Sequence, residues 1–242
     1  MMKRWFILGV LGLGVLASCS VKENRGDCPC WLTVRASFPN ELVSAWYGLQ
    51  PVFEDLDGQQ VDRQVPRGTV DVVASRGKFI AQEGDQMNEL FASLTQVDTQ
   101  CEEAEVILYL HKQFARVSLE FIGAEDGRTG HIMQVQGHVK GADKHTLQPI
   151  EGTFRCTPDE PEEGGYEVRV PRQKDDSLTL LQYDLDGREL DPIPLGYLIK
   201  KAGFDWTQES LGDVAIRADM PTMTFHITVL QWEGPITMTV TI

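Results

Sequence analysis

The chain has 242 residues, of which 22 are Lys or Arg and 36 are Asp or Glu, so its formal net charge at pH 7 is -14. This acidity excludes the usual mode of nucleic-acid binding, which depends on Lys and Arg contacts to phosphate, and it disfavours electrostatic attachment to an anionic surface. A hydrophobic fraction of 42% allows substantial cores, and the length fits one large or two small domains.

The first 18 residues have the features of a secretory signal peptide. Lys3 and Arg4 supply a positively charged start, and an apolar run follows over residues 6–16. This run is too short to span a bilayer, which takes about 20 apolar residues. We therefore predict a signal peptide over residues 1–18 and a mature chain that begins at Cys19.

The sequence Leu-Ala-Ser-Cys at residues 16–19 resembles the bacterial lipobox. The resemblance implies that the Cys19 thiol carries diacylglycerol and that the new N-terminus is acylated, which together give stable membrane anchoring. Ser20 replaces the Asp that would resemble an inner-membrane retention signal, so we expect the outer membrane. Residues 19–27 are polar and would form a tether that reaches roughly 30 Å. The alternative is an ordinary secretory signal with a chance cysteine at the cleavage site.

Four cysteines remain in the mature chain after Cys19: Cys28, Cys30, Cys101 and Cys156. An even number in an exported protein permits two disulfides. Cys28 and Cys30 are too close to pair with each other without strain, so we expect one of them to pair with Cys101. Buried free thiols are the alternative. We expect no metal, because Cys-Pro-Cys offers two ligands at most and no matching motif completes a tetrahedral site.

Most of the mature chain has the short alternating runs of β-strands. These runs are 31–38, 44–53, 70–74, 105–110, 115–122, 132–139, 166–170, 178–183, 214–216, 223–232 and 236–242. Two short segments, 85–93 and 196–201, are the candidate helices. Many short strands separated by turn residues predict an all-β sandwich class.

One internal echo is found in the sequence. Residues 55–62 and 184–191 each contain Asp-Leu-Asp-Gly, then two polar residues, an apolar residue and an Asp. Asp-Gly favours tight turns, so we predict a hairpin at each copy, and the echo weakly supports two related domains. A calcium loop of the EF-hand type is the alternative, but neither copy has the required Gly and Glu positions.

The chain lacks the motifs of catalysis. The five histidines are scattered at positions 111, 131, 138, 145 and 226, and no His-x-x-x-His pattern exists. The chain has no Gly-x-Ser-x-Gly elbow and no Gly-rich phosphate loop. We therefore expect that the protein is not an enzyme and that it takes no cofactor.

Several segments together resemble the FimB-like fimbrial anchor lipoproteins (the Mfa/FimB family). The segment Asn24 to Val34, which contains Cys-Pro-Cys-Trp, is similar to the family's start just after the lipobox. Residues 111–117 resemble the segment that joins the family's two halves. The matches to the C-terminal domain lie at 195–199, 203–206, 211–216 and 229–233.

The resemblance implies two transthyretin-like Greek-key β-sandwiches, at about 28–112 and 113–242, and a role at the base of a surface fimbria. It also implies that fimbrial shaft subunits are the partners and that they join by β-strand exchange, in which an open sheet edge pairs with an incoming strand. The first strand, 31–38, would stay in its own sheet. The last strand, 236–242, alternates throughout, which makes it a candidate for donation to a shaft subunit through Ile236, Met238, Val240 and Ile242. The alternative is that it completes its own domain.

Two other roles remain open from the sequence. The Arg25–Gly26 and Arg35–Ala36 bonds could suit an arginine-specific protease of the kind that matures shaft subunits, so a shaft or tip subunit is one alternative. A surface lipoprotein adhesin that binds glycan or matrix is the other. Aromatic side chains aligned on an exposed face would favour the adhesin, and the candidates are Trp46, Tyr47, Trp206 and Trp232.

Overall fold

The computed structural model describes residues 28–37, 41–123, 132–160, 165–184, 186–231 and 234–241. These residues form sixteen strands and one helix. The strands are β1 (Cys30–Ala36), β2 (Leu42–Tyr47), β3 (Gln50–Asp57), β4 (Gln60–Val65), β5 (Thr69–Arg76), β6 (Phe91–Asp98), β7 (Glu103–Leu108), β8 (His111–Lys112), β9 (Phe114–Ile122), β10 (Ile132–Ala142), β11 (Pro149–Cys156), β12 (Tyr166–Pro171), β13 (Thr179–Tyr183), β14 (Asp213–Asp219), β15 (Thr224–Gln231) and β16 (Gly234–Thr241). The helix α1 is Leu195–Lys201. The predicted all-β class is confirmed.

The first half of the chain builds two sheets around one core. Their strand orders are β4-β1-β7 and β3-β2-β5-β6-β8. Strand β1 lies antiparallel to β4 and parallel to β7. Every second residue of β1, from Cys30 to Ala36, is buried, as a period of two requires for a strand with one face on a core. Much of this core is valine, whose branched side chain packs well on a pleated surface.

The second half repeats this arrangement with different strand numbers in each sheet. Its orders are β12-β9-β14-β15-β16 and β11-β10-β13. Strand β9 lies antiparallel to β12 and parallel to β14, as β1 does to β4 and β7. In both halves the first strand therefore lies between one antiparallel and one parallel neighbour, a likeness that the Asp-Gly echo suggested only weakly.

The predicted helix at 196–201 is confirmed as α1, and the predicted helix at 85–93 is wrong. Residues 91–98 form β6, and residues 77–90, which we call the strap, run in extended and turn conformations. The strap reaches across to the second half of the chain. Met87 and Leu90 are fully buried in the second core, so the strap is held by tertiary packing that a local pattern does not reveal.

The two Asp-Gly turns are not equivalent. Gly58 links β3 to β4, which lie in different sheets, so the hairpin predicted there is wrong. The second turn does reverse the chain locally, because Tyr183 and Glu189 form an antiparallel bridge. Asp184 holds it by accepting from the N–H groups of Gly187 and Arg188. The predicted run 44–53 is likewise divided at Gly48, where φ is +60°.

The division into domains at residues 112 and 113 stays a prediction, although the sheets change there. Strand β8 ends at Lys112 and pairs with β6 of the first half, whereas β9 begins at Phe114 in the second half. The strap qualifies this division, because it carries side chains of the first half into the second core.

Candidate functional site

Strand β16 contains the last predicted strand, which is the candidate for strand exchange. In this structure it lies at a sheet edge and pairs within its own sheet. It lies antiparallel to β15 over eight residue pairs. The pairs that carry the alternating apolar residues are Val240 with Phe225, Met238 with Ile227, and Ile236 with Val229. These three β16 side chains therefore share one face of the sheet with the core residues of β15. Ile242 lies outside the described residues.

The side chains of β16 are buried to very different degrees. Val240 is 3% exposed, whereas Met238 is 38% and Ile236 is 46% exposed. Their partners on β15, Phe225, Ile227 and Val229, are all buried. A five-stranded sheet that packs against a three-stranded one leaves its outer strand partly uncovered, so Ile236 and Met238 form an apolar ledge beside the core.

The opposite face of the β15–β16 pair is polar and held in register by side chains. The hydroxyls of Thr228 and Thr237 lie 3.1 Å apart, and those of Thr224 and Thr241 lie 3.5 Å apart. Between them the Nδ1 of His226 lies 3.0 Å from the hydroxyl of Thr239. Such cross-strand pairs each add a few tenths of a kcal/mol to about 1 kcal/mol, and they define the register of β16 on β15.

Other sheet edges of the second half are covered by extra segments. The strap N–H groups of Gly84 and Met87 donate to the carbonyls of Arg155 in β11 and Arg169 in β12, at 3.1 and 2.9 Å. Strand β13 is bridged by Ile193 through Leu180. Among the described residues no strand pairs with the far side of β16. An unpaired edge of this kind is a template for another chain, because its N–H and C=O groups have no partner.

A second cluster lies where the first half begins. The Arg67 guanidinium donates to the carbonyls of Cys28 and Gln100, at 2.7 and 2.6 Å. Cys30 is fully buried and Cys101 is exposed, and both are free thiols. The pKa of Cys30 is raised, first by burial and then by the neighbouring Cys101. The sequence pointed to these cysteines, but nothing in it marked Arg67 as their neighbour.

The fourth cysteine, Cys156, behaves as a buried free thiol. Burial raises its pKa to about 12, with a smaller effect from Asp159. A thiol with so high a pKa is inert, because the thiolate is the reactive form.

Of the aromatic residues proposed for glycan binding, the two tryptophans that the structure describes are buried. Trp46 and Trp206 are 3% and 7% exposed and belong to the packed interior. The Trp46 ring packs edge-on against His145, with ring centroids 4.4 Å apart. Tyr47 is half-exposed, and Trp232 lies outside the described residues.

Within the part of the chain that the structure describes, no group of three or more His, Cys, Asp or Glu side chains is placed to hold a metal ion.

A polar cleft of about 860 Å³ lies between the halves. There His111 contacts Glu209 at 3.0 Å, and Lys112 pairs with Asp213. These two contacts connect β8, β14 and the loop before β14, so they serve to position these elements.

The membrane attachment predicted at Cys19 falls outside the described residues, as do the signal peptide and the tether. In the ranges that are described, no helix is both long and apolar enough to cross a bilayer.

The fold is shared with solved structures of proteins from Bacteroides and Porphyromonas. A Bacteroides thetaiotaomicron protein with a proposed polysaccharide-binding role superposes with a TM-score of 0.60 at 11% identity, over 87% of this chain and 98% of its own. A proposed adhesin from the same organism gives 0.56 at 16% identity, over 86% and 98%. No protein-family model and no curated protein matches the sequence.

The fimbrial anchor protein Mfa2 of Porphyromonas gingivalis has the same architecture. It superposes with a TM-score of 0.58 at 10% identity, over 85% of this chain and 98% of its own. The resemblance to Mfa/FimB-like fimbrial proteins is therefore confirmed at the level of fold, including the sandwich architecture. None of these three proteins is described as an enzyme.

Proposed function

We propose that this protein is a lipid-anchored surface component at the base of a fimbria and that it joins shaft subunits by β-strand complementation. The lipid on Cys19 would hold it in the outer membrane, with residues 19–27 as the tether. The fold shared with a fimbrial anchor protein supports this role. The single observation that carries the proposal is the state of β16.

Strand β16 combines the properties that an exchangeable strand needs. Its apolar and polar residues alternate from Ile236 onward, it lies at a sheet edge, and of its eight residues only Val240 is buried. Releasing it would cost the hydrogen bonds to β15 and little of the core. An acceptor subunit with a groove would recover these main-chain bonds and bury Ile236 and Met238, which are now half-exposed.

The placement of β1 supports an anchor over a shaft subunit. The Arg35–Ala36 bond lies inside β1, which is the central strand of its sheet, between β4 and β7. Arg35 also pairs with Glu105 at 2.8 Å. A protease needs an extended and accessible segment, so a central strand resists cleavage until it unfolds. The bond Arg25–Gly26 lies outside the described residues.

The test of exchange is to lock β16 to β15 with an engineered disulfide. The Thr228→Cys, Thr237→Cys variant replaces a directly opposed pair on the polar face. We expect the oxidised variant to fold and reach the surface but to carry no fimbriae, and we expect reductant to restore them. The matched control is Ser118→Cys, Ala215→Cys, which locks β9 to β14 through an opposed pair that does not contact β16.

Normal fimbriae on cells that express the oxidised, locked variant would contradict donation of β16. Loss of fimbriae in the β9–β14 control would show that any added disulfide in this sheet interferes. A Cys19→Ala variant addresses the anchor separately, since fimbriae that are shed into the medium rather than lost are the expected result.

An adhesin that binds glycan or matrix is the second candidate. Two of the proteins that share this fold have proposed polysaccharide-binding or adhesin roles. The buried state of Trp46 and Trp206 removes two of the four aromatic side chains that would have formed a sugar-stacking platform, which favours the fimbrial role.

A further inference from the structure

Three cysteines, Cys28, Cys30 and Cys101, lie near the start of β1 and of its parallel neighbour β7. Cys30 opens β1, and Cys101 lies two residues before β7. These strands are parallel neighbours, and Trp31 lies opposite Glu103. The N–H of Trp31 donates to the carbonyl of Glu102 across 2.8 Å. The register therefore places Cys30 beside the residue that follows Cys101.

Arg67 holds these two cysteine-bearing segments together. Its guanidinium donates to the carbonyl of Cys28 at 2.7 Å and to that of Gln100 at 2.6 Å, so it spans the residues before both strands. The effect of Cys101 on the pKa of Cys30 is a second sign that the two thiols contact each other. Cys101 is exposed, and its Sγ donates to the carbonyl of Glu103 at 2.9 Å.

We infer that Cys30 and Cys101 form a disulfide in the exported protein. Cys28 is the competing partner, but it lies outside β1 and is exposed, whereas Cys30 lies within the strand that is in register with β7. The pairing joins the first residue of β1 to the segment just before β7, and the two strands are already hydrogen-bonded there.

The oxidation requires a disulfide reagent, either an oxidised small thiol or a thiol-disulfide oxidoreductase. The exposed Cys101 thiolate attacks the reagent's disulfide, forms a mixed disulfide and releases one reagent thiol. The Cys30 thiolate then attacks the Cys101 sulfur and displaces the second reagent thiol. The two protein thiols lose two protons and two electrons in total, and the reagent's disulfide gains them.

The disulfide would fasten the strand nearest the tether to the body of the protein. A chain cut at Arg35–Ala36 would remain joined through Cys30 to residues after the cut. The cut protein would then stay on the membrane. This retention rests on the proposed lipid anchor at Cys19, whereas the disulfide itself does not.

The test maps the disulfide in full-length protein from its native membrane. Free thiols are blocked with an alkylating agent in intact cells, and the purified protein is digested with trypsin without reduction. We expect residues 26–35 linked to residues 79–112, which contain Cys101 as their only cysteine. Fragmentation of the linked peptide then shows whether Cys28 or Cys30 carries the bond.

Variants give an independent reading. We expect Cys28→Ser to keep the linked peptide and the exposed Cys101→Ser to lose it. Alkylation of Cys30 and Cys101 in the native protein would overturn the inference. A bond through Cys28, or one to residues 156–169, would overturn it as well. Because Cys30 is buried and its own variant could fail to fold, fragmentation of the wild-type peptide decides this point. None of these readings depends on fimbriae, so a missing disulfide leaves the proposed function standing.

Discussion

The backbone N–H of Ala142 in β10 donates to the carbonyl of Phe79 in the strap across 2.8 Å, and this bond joins the two halves of the chain. The N–H of Ala81 returns to the carbonyl of Lys140 at 2.9 Å. Together with Gly84 and Met87, these bonds tie the strap to β10, β11 and β12. The connection between β5 and β6 therefore protects backbone groups of the other half.

Gly141→Ala should displace the strap. A Cβ at Gly141 would fall inside contact distance of the Phe79 carbonyl oxygen and of the Ile80 Cα, neither of which can turn away. We expect a loss of about 1–3 kcal/mol in unfolding free energy, typical of overpacking. Hydrogen exchange at Ala81 and Ala142 should also become faster.

Gly203→Ala is the control for the strap variant. Its φ is +91°, so the substitution strains the backbone, but nothing lies within 4 Å of the added Cβ. It should lower stability without changing hydrogen exchange in the strap. Unchanged exchange at Ala81 in Gly141→Ala would contradict the role of the strap.

Ile227→Ala and Met238→Ala should differ sharply, although the two residues are directly paired. Ile227 is fully buried, so we expect its truncation to cost about 2–5 kcal/mol. Met238 is 38% exposed, and we expect a cost below about 1 kcal/mol. Urea unfolding measures both variants. Equal losses would show that β16 is part of the core and would weaken its role as an exchangeable strand.

Strand alternation was predictable because burial on one face leaves a period-two signal. Residues 223–229 show it, and Phe225, Ile227 and Val229 are buried as that pattern requires. The strap was not predictable, since its conformation depends on Lys140 and Arg169, which are far along the chain. The hairpin predicted at Gly58 was wrong for the same reason. The chain changes sheets there, which depends on tertiary packing and is not encoded by Asp-Gly. The apolar face of β16 was readable, but its half-exposed ledge depends on the width of the opposing sheet.

Arg172→Ala should destabilise the second half. The guanidinium donates to the carbonyls of Gln208 and Glu209 at 2.7 and 3.1 Å, and also to that of Trp206. Losing bonds from a charged donor leaves carbonyls without a partner, so we expect a cost of about 2–4 kcal/mol. Arg172→Lys should recover less than half, since an ammonium lacks the planar fork.

The control for Arg172 is Arg217→Ala. Arg217 pairs with Glu120 at 3.5 Å, and both side chains are more than half exposed. Its removal should change the unfolding free energy by no more than about 0.5 kcal/mol. A full rescue by Arg172→Lys would show that charge alone, rather than the fork, holds the loop.

Asp205 should contribute to the acid sensitivity of the fold. The N–H and hydroxyl of Thr207 donate to its carboxylate, each at 2.8 Å, and they lower the pKa of Asp205 below 3.8. Because the folded pKa is the lower one, this stabilisation is present above pH 3.8 and is lost as the pH falls through the folded pKa. Asp205→Asn keeps an acceptor oxygen but cannot titrate. Its unfolding free energy should fall less steeply below pH 4 than that of the wild type, and an identical slope would contradict this assignment.

The most direct test of strand complementation is photo-crosslinking from the ledge in the native membrane. A benzophenone amino acid replaces Met238, and the control replaces Tyr197, which is 47% exposed on α1 in the same half. We expect position 238 to crosslink to a fimbrial shaft subunit, position 197 not to do so, and the recovered protein to carry lipid on Cys19. Crosslinks from position 238 only within the chain itself, with no subunit recovered, would contradict strand complementation.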